Sequence, residues 1–93
     1  MKKIGLIGGM SWSSTIEYYR LLNEFVGNRL GGLHSAETIL YSVDFAEIET
    51  YQKTGRWDLA AVKLSQAAKS LELAGAELLL ICANTMHKSN SVR

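Results

Sequence analysis

Apolar and polar positions alternate along the chain in blocks that predict strands and helices in turn. The apolar run 4–8 ends at a glycine pair, which is typical of a short buried strand in a parallel sheet. Two later runs, 38–43 and 77–82, are rich in β-branched, aromatic or aliphatic residues and predict a second and a third strand. Because the third run is almost continuously apolar, we expect its strand to be buried as well.

The first helix is predicted between the first two strands. Ser14 and Glu17 fit the S-x-x-E capping box, which places the helix start near Thr15, and the pair 31–32 of glycines predicts its end. Apolar residues recur at intervals of three and four, which predicts one buried helical face. That face consists of Ile16, Tyr19, Leu22, Val26 and Leu30.

Two further helices are predicted between the second and third strands. Asp44 is a candidate N-cap for a short helix that runs to about Gln52 and is broken at 54–55. Asp58 is a candidate N-cap for the next helix, and Gly75 stands where a helix-terminating glycine is expected. The apolar face of this last helix consists of Ala61, Leu64, Ala68 and Leu71.

The order of elements is therefore β-α-β-α-α-β, which predicts an α/β fold. Strands that alternate with helices form a parallel sheet through right-handed crossovers, with helices on both faces, so we expect a parallel three-layer sandwich. Residues 1–93 are long enough for one hydrophobic core, and we expect a single domain.

Composition narrows the function classes. The chain of 93 residues is 47% hydrophobic and 20% charged, as in globular domains, and its net charge of +1 gives no electrostatic reason to expect nucleic acid or a membrane as partner. One cysteine and two histidines are a poor zinc set, so we expect no metal. Glycines interrupt the apolar run that follows the two N-terminal lysines, which predicts a strand rather than a signal peptide. We therefore expect a cytoplasmic protein.

Candidate chemistry is concentrated beyond the carboxyl ends of the strands, where open parallel sheets bind ligands. The glycine loop 8–11 precedes a helix and is either a tight turn or a cradle for a carboxylate or phosphate. Its spacing matches neither a dinucleotide fingerprint nor a P-loop. Gln52 follows the second strand and, from its position alone, belongs to an ordinary solvent-facing helix.

Cys82 ends the third strand and has two interpretations. Small buried cysteines are common in cores, but a thiol beside helix N-termini can have a depressed pKa and act as a base or nucleophile. Asn84 and Thr85 would then form hydrogen bonds with a small polar ligand. His87 is either an exposed loop residue or the partner of the thiol in a hydrolase.

Several segments together resemble the N-terminal part of the aspartate/glutamate racemase superfamily, and most of all its racemases of broad or aspartate specificity. The matching segments are GLIGGMSWSST at 5–15, YY at 18–19, LGGLHSA at 30–36, YSVDF at 41–45, the stretch 48–58, AGAE at 74–77 and CANTMHK at 82–88. The glycine segment is weakly specific, whereas its combination with CANTMHK is specific.

The resemblance implies a racemase that uses neither pyridoxal phosphate nor metal. In this family two cysteines face each other across the α-carbon of a small amino-acid substrate, and Cys82 matches the first of them. The positions that contact the substrate in the family are matched by Met10, Gln52, Asn84 and Thr85, with the backbone of Ala83. The family motif usually has threonine where this chain has Ala83, which removes a hydroxyl near the substrate.

The second cysteine of the family belongs to a second α/β half, and no segment of this chain matches it. The resemblance thus implies an incomplete N-terminal half of a two-domain enzyme, inactive alone and associated either as a homo-oligomer (a dimer) or with a second half. The alternative is a non-catalytic ligand-binding or interaction module derived from such a racemase. A Cys–His hydrolase or nucleotide-binding fragment is a third possibility.

Overall fold

The computed structural model describes residues 1–82, which form three strands and three helices in the expected order. The β-α-β-α-α-β prediction is confirmed. The elements are β1 (Ile4–Gly8), α1 (Trp12–Leu30), β2 (Thr38–Ser42), α2 (Phe45–Lys53), α3 (Trp57–Leu73) and β3 (Leu78–Ile81).

The strands form one parallel sheet in the order β2-β1-β3. The chain passes from β1 to β2 on one side of it and then crosses to β3 on the other side. Right-handed connections therefore place α1 and α3 on opposite faces of the sheet. The glycines of β1 mark these faces. A Cβ atom on Gly5 would lie 3.2 Å from Leu71 of α3, whereas one on Gly8 would lie 2.7 Å from Thr15 of α1. The predicted three layers are therefore present.

The core lies between the sheet and the pair α2 and α3. Its buried side chains come from one face of the sheet, from the loops beyond β1 and β2, and from both helices. They are Ile7, Met10, Val43, Ile48, Ala67 and Leu71. Gly5 permits this packing because a Cβ there would approach the Cβ of Ala76 to 2.9 Å. The absence of a side chain at Gly5 thus allows the C-terminal end of α3 to lie close to β1.

Helix α1 begins earlier than its capping box predicts. The helix starts at Trp12, and the N-cap is Ser11, whose side chain makes no capping hydrogen bond. Ser14 lies inside the first turn, and its hydroxyl donates to Oγ of Ser11 at 3.3 Å. Glu17 forms an ion pair with Arg20. The predicted start near Thr15 is wrong because the backbone N–H of Thr15 already donates to the carbonyl of Ser11, which closes a helical turn there.

The predicted apolar face of α1 is only partly buried. Leu22 and Val26 are half-buried, whereas Ile16, Tyr19 and Leu30 are more than half exposed. The buried residue of this helix is Thr15, which faces the sheet. Since successive residues are about 100° apart around a helix, Ile16 is turned away from the sheet.

The boundaries of α2 and of the C-terminal end of α3 follow the expected local signals. Oδ1 of Asp44 accepts a hydrogen bond from the backbone N–H of Ala46 at 3.1 Å, so the predicted N-cap is confirmed. Gly75 follows the end of α3 with a φ of +105°, a conformation that glycine adopts without strain. Both signals act through their immediate neighbours in the chain.

The start of α3 differs from its prediction. The N-cap is Arg56, and Asp58 lies in the first helical turn. The guanidinium of Arg56 donates two hydrogen bonds to the carboxylate of Asp58, at 3.0 and 3.1 Å, so this side chain is engaged in an ion pair rather than in capping. On the predicted apolar face Leu71 is buried but Ala61 is exposed. Ala60 and Ala67, which that face did not include, are buried.

Strand β3 is more exposed than its apolar sequence predicts. Its four side chains keep between 36% and 49% of their accessible surface. The expectation of a buried third strand is wrong for the described residues, because β3 is an edge strand and no strand among residues 1–82 pairs with its outer side. No helix within these residues is long and apolar enough to cross a membrane.

Two leucines on α3 provide a matched test of this packing. Leu71 is 2% exposed and Leu73 is 82% exposed. We expect Leu71→Ala to lower the free energy of unfolding by about 2–5 kcal/mol, because it removes buried methyl groups and leaves a cavity. Leu73→Ala should change it by less than about 0.5 kcal/mol. Urea denaturation followed by circular dichroism measures both, and equal losses would contradict the described core.

Candidate functional site

The carboxyl ends of the three strands lie side by side at one edge of the sheet. Gly8 at the end of β1 pairs with Ser42 at the end of β2, and Ile7 pairs with Ile81 of β3. The loops that leave β1 and β2 and the residue Cys82 therefore emerge at the same edge, where parallel sheets bind their ligands. This is the candidate site.

The loop after β1 is held against the end of β2. The backbone N–H of Val43 donates to the carbonyl of Gly8 at 2.8 Å. Gly9 has a φ of +93°, and a Cβ atom there would collide with the carbonyl oxygen of Val43. Glycine is required at this position both for its backbone conformation and for the closeness of the two chains.

The hydroxyl of Thr15, in helix α1, forms hydrogen bonds with the backbone of this loop. Its Oγ1 accepts a hydrogen bond from the backbone N–H of Gly9 at 3.0 Å and donates to the carbonyl of Ser11 at 3.3 Å. The N–H of Gly9 is therefore already engaged and cannot serve as a free anion donor. Of the two interpretations of the glycine loop, the tight turn describes this residue.

Met10 lies at the centre of the loop, and its side chain is 1% exposed. It belongs to the same core cluster as Val43 and Ile48. Since Ile48 is part of α2, the loop is packed near the helix that carries Gln52, a half-buried residue in the last turns of α2. Substrate contacts of Met10 and Gln52 stay predictions, but the structure places the two elements that carry them together.

Cys82 directly follows β3, and its backbone N–H continues the ladder by donating to the carbonyl of Ile7 at 2.8 Å. The side chain is fully buried. Burial raises the pKa of the Cys82 thiol above its usual value, because the thiolate is poorly solvated there. The direction is opposite to the depressed pKa considered from the position of the residue in the sequence.

The other predicted residues of this segment lie beyond the part of the chain that the structure describes. They are Ala83, Asn84, Thr85 and His87. Within residues 1–82 no group of three histidine, cysteine, aspartate or glutamate side chains could hold a metal ion.

Thr15 also lies at this edge, although no motif in the sequence marks it as part of the site. Among residues 1–82 it is the buried polar side chain, and the capping-box pattern assigned it only to the start of a helix. The glycine pair 8–9 was the available signal. Because these two glycines have no side chains, a helix can approach the end of the strand closely. The first helical residue that faces the strand end then contacts the loop backbone.

Glycine substitutions test the geometry of the loop. Gly9 and Gly55 both have positive φ, but a Cβ on Gly55 would meet no atom within 4 Å. We expect Gly55→Ala to cost about 1–2 kcal/mol from backbone strain alone. Gly9→Ala should cost roughly 1–3 kcal/mol more, because the methyl group also collides with Val43. Chemical denaturation of both variants gives the difference, and equal costs would contradict the close approach at Gly9.

The raised pKa of Cys82 predicts a pH-dependent stability. The unfolded thiol ionises near a pH of about 8.5, whereas the folded thiol stays protonated to higher pH. The unfolded state therefore loses its proton first, and this residue lowers the free energy of unfolding as pH rises above that value, by at most about 1.4 kcal/mol per pH unit. The difference between the wild type and Cys82→Ala, measured by denaturation from pH 7 to 10, isolates the effect. A pH-independent difference would contradict it.

Comparisons with known proteins match this chain over nearly its whole length. The sequence model of the Asp/Glu/Hydantoin racemase family matches residues 7–89. The crystal structure of a candidate Asp/Glu racemase from Yersinia pestis is 62% identical, with a TM-score of 0.89, over 98% of this chain and 40% of that one. The crystal structure of an aspartate racemase homologue from Pyrococcus horikoshii OT3 is 40% identical, with a TM-score of 0.81. The match covers 98% of this chain and 39% of that one.

The chain thus spans about 40% of the length of these two structures. Their similarity extends over all the described strands and helices, and the family match includes the glycine loop, α2 and Cys82. The resemblance noted in the sequence is confirmed. The chain belongs to the Asp/Glu/Hydantoin racemase family.

Proposed function

We propose that this chain supplies one acid–base face of an amino-acid racemase, with Cys82 as the group that exchanges a proton with the α-carbon of the substrate. Membership of a racemase family supports an isomerase at the family level. The observation that carries the proposal is the placement of Cys82 at the carboxyl edge of the sheet, next to the strand that leads into the glycine loop.

The proposed reaction breaks the Cα–H bond of an amino acid and forms it again on the opposite face. A thiolate accepts the α-proton, and the bonding electron pair remains on the substrate as a carbanion conjugated with its carboxylate. A thiol on the other face then donates its proton to that carbon. The two sulfur atoms exchange roles for the reverse reaction, and the chemistry requires neither pyridoxal phosphate nor a metal.

The scheme gives Cys82 both roles in turn. A protonated thiol donates a proton to a carbanion, and a thiolate accepts one from the α-carbon. We propose that Cys82 is the proton donor in one direction of the reaction and the base in the reverse direction. The proposed thiol on the other face comes from outside residues 1–93 or from another copy, since these residues contain one cysteine.

The remaining predicted residues define the proposed amino-acid site. Ala83, Asn84 and Thr85 directly follow Cys82, and Met10 and Gln52 belong to the loop and helix that pack beside the end of β1. An acidic amino acid, aspartate or glutamate, is the proposed substrate. The alanine at position 83 removes a hydroxyl that the family motif provides, so we expect a change in substrate preference at this position.

Exchange in D₂O separates proton transfer from inversion. A single thiol returns a deuteron to the face from which it took the proton, so we expect the 93-residue chain to catalyse at most α-hydrogen exchange of L-aspartate or L-glutamate without forming the D-enantiomer. In a racemising assembly that contains this chain, Cys82→Ser should lower the rate by roughly a hundredfold or more. Proton NMR measures exchange, and chiral chromatography measures inversion.

Cys82→Ala is the matched variant, because it removes the sulfur without placing a hydroxyl in the buried site, and circular dichroism establishes that both variants fold. Full turnover in either variant would contradict the proposal. Binding of an acidic amino acid by the wild type, with no exchange of its α-hydrogen in any assembly, would instead establish the non-catalytic binding module. The full burial of the Cys82 side chain is the observation that favours this second function.

A further inference from the structure

Thr15 differs from the other hydroxyl side chains of the described residues because it is buried, with 6% of its surface accessible. It lies in the first turn of α1 and faces the end of β1. A Cβ atom on Gly8 would approach both Oγ1 and Cγ2 of Thr15 to 2.7 Å, so the side chain occupies the space that the glycine leaves free. The helix is thus in direct contact with the strand end at this residue.

Both hydrogen-bonding functions of the Thr15 hydroxyl are directed at the loop. It accepts from the N–H of Gly9 and donates to the carbonyl of Ser11, the residues on either side of Met10. Valine has nearly the same shape but offers neither function, and serine offers both. The hydroxyl, rather than the size of the side chain, therefore holds the two backbone groups that flank Met10.

The loop held in this way connects the strands of the candidate site. The carbonyl of Gly8 accepts from the N–H of Val43 beyond β2, and the carbonyl of Ile7 accepts from the N–H of Cys82 beyond β3. A displacement of the loop after Gly8 would change the position of Met10 relative to both neighbouring strand ends. Displacements of about 1 Å in positioning groups can change binding and rate by as much as a hundredfold.

We propose that Thr15 is a positioning residue of the amino-acid site, acting through its hydrogen bonds to Gly9 and Ser11. The inference rests on the proposed function, since it assigns the loop a part in binding the substrate. A purely structural Thr15 would affect stability alone, whereas a positioning Thr15 also determines the affinity for the amino acid.

The test compares Thr15→Val, which loses the hydroxyl, with Thr15→Ser, which keeps it, in the 93-residue chain. Thr50→Val is the matched control, because Oγ1 of Thr50 also donates to the carbonyl four residues earlier, at 2.9 Å, but is exposed on α2. NMR measures hydrogen exchange at the amide of Gly9, and a titration with L-aspartate and L-glutamate measures affinity. Thermal unfolding is recorded for each variant.

We expect Thr15→Val to accelerate exchange of the Gly9 amide at least about tenfold and to weaken amino-acid binding roughly tenfold to a hundredfold. Thr15→Ser should restore both to within about threefold of the wild type, and Thr50→Val should change neither. If Thr15→Val does not fold, Thr15→Ala removes the hydroxyl with a smaller side chain and is read in the same way.

The outcomes separate the two proposals. Wild-type binding with unchanged affinity in a folded Thr15→Val variant overturns the role of Thr15 and leaves the proposed function standing. Failure of Thr15→Ser to restore binding also overturns it, because the methyl group would then be the important part. If the wild type binds neither amino acid, alone or in a racemising assembly that contains this chain, the proposed site itself is wrong, and the role of Thr15 is rejected with it.

Discussion

The structure depends on the close approach of helices from both faces to the central strand β1. This strand is paired on both sides, with β2 and with β3, and it has glycine at one position facing each helical layer. Gly5 admits the C-terminal end of α3, and Gly8 admits the first turn of α1. A side chain at either position would push a helix away, and one at Gly5 would also disturb the packing of the core between α3 and the sheet.

The same approach organises the candidate site. Because α1 contacts the end of β1 through Thr15, the intervening loop is short, and the N–H of Gly9 and the carbonyl of Gly8 are bonded to Thr15 and Val43. The core cluster extends into the loop through Met10. The position of the loop at this edge is thus a consequence of packing.

Cys82 shows how burial and chemistry interact. Its position after β3 follows from parallel pairing with β1, but its thiol is enclosed and its pKa is raised. Burial favours the neutral form of a thiol, because the thiolate is poorly solvated. The apolar residues of β3 itself remain accessible on both faces of the sheet in the described part of the chain, so the strand that leads to the candidate catalytic residue is also its least covered strand.

Sequence by itself determined those features that depend on near neighbours in the chain. Hydrophobic periodicity and glycine positions predicted the order of elements, the end of α1 at its glycine pair and the cap at Asp44, because each depends on hydrogen bonds or backbone angles within a few residues. Motifs also predicted the family, which is confirmed. The roles of Cys82, Met10 and Gln52 in the site remain predictions. The residues 83–85 of the predicted site lie outside the described structure and remain predictions.

Tertiary structure decided which side of each element faces the interior. It placed Thr15 rather than Ile16 against the sheet, exposed β3 at an edge, engaged Asp58 in an ion pair and raised the pKa of Cys82. Each of these outcomes depends on residues distant in sequence that the fold brings together, such as Gly8 with Thr15 and Ile7 with Cys82. Burial and electrostatic environment are properties of those contacts, and no local pattern contains them.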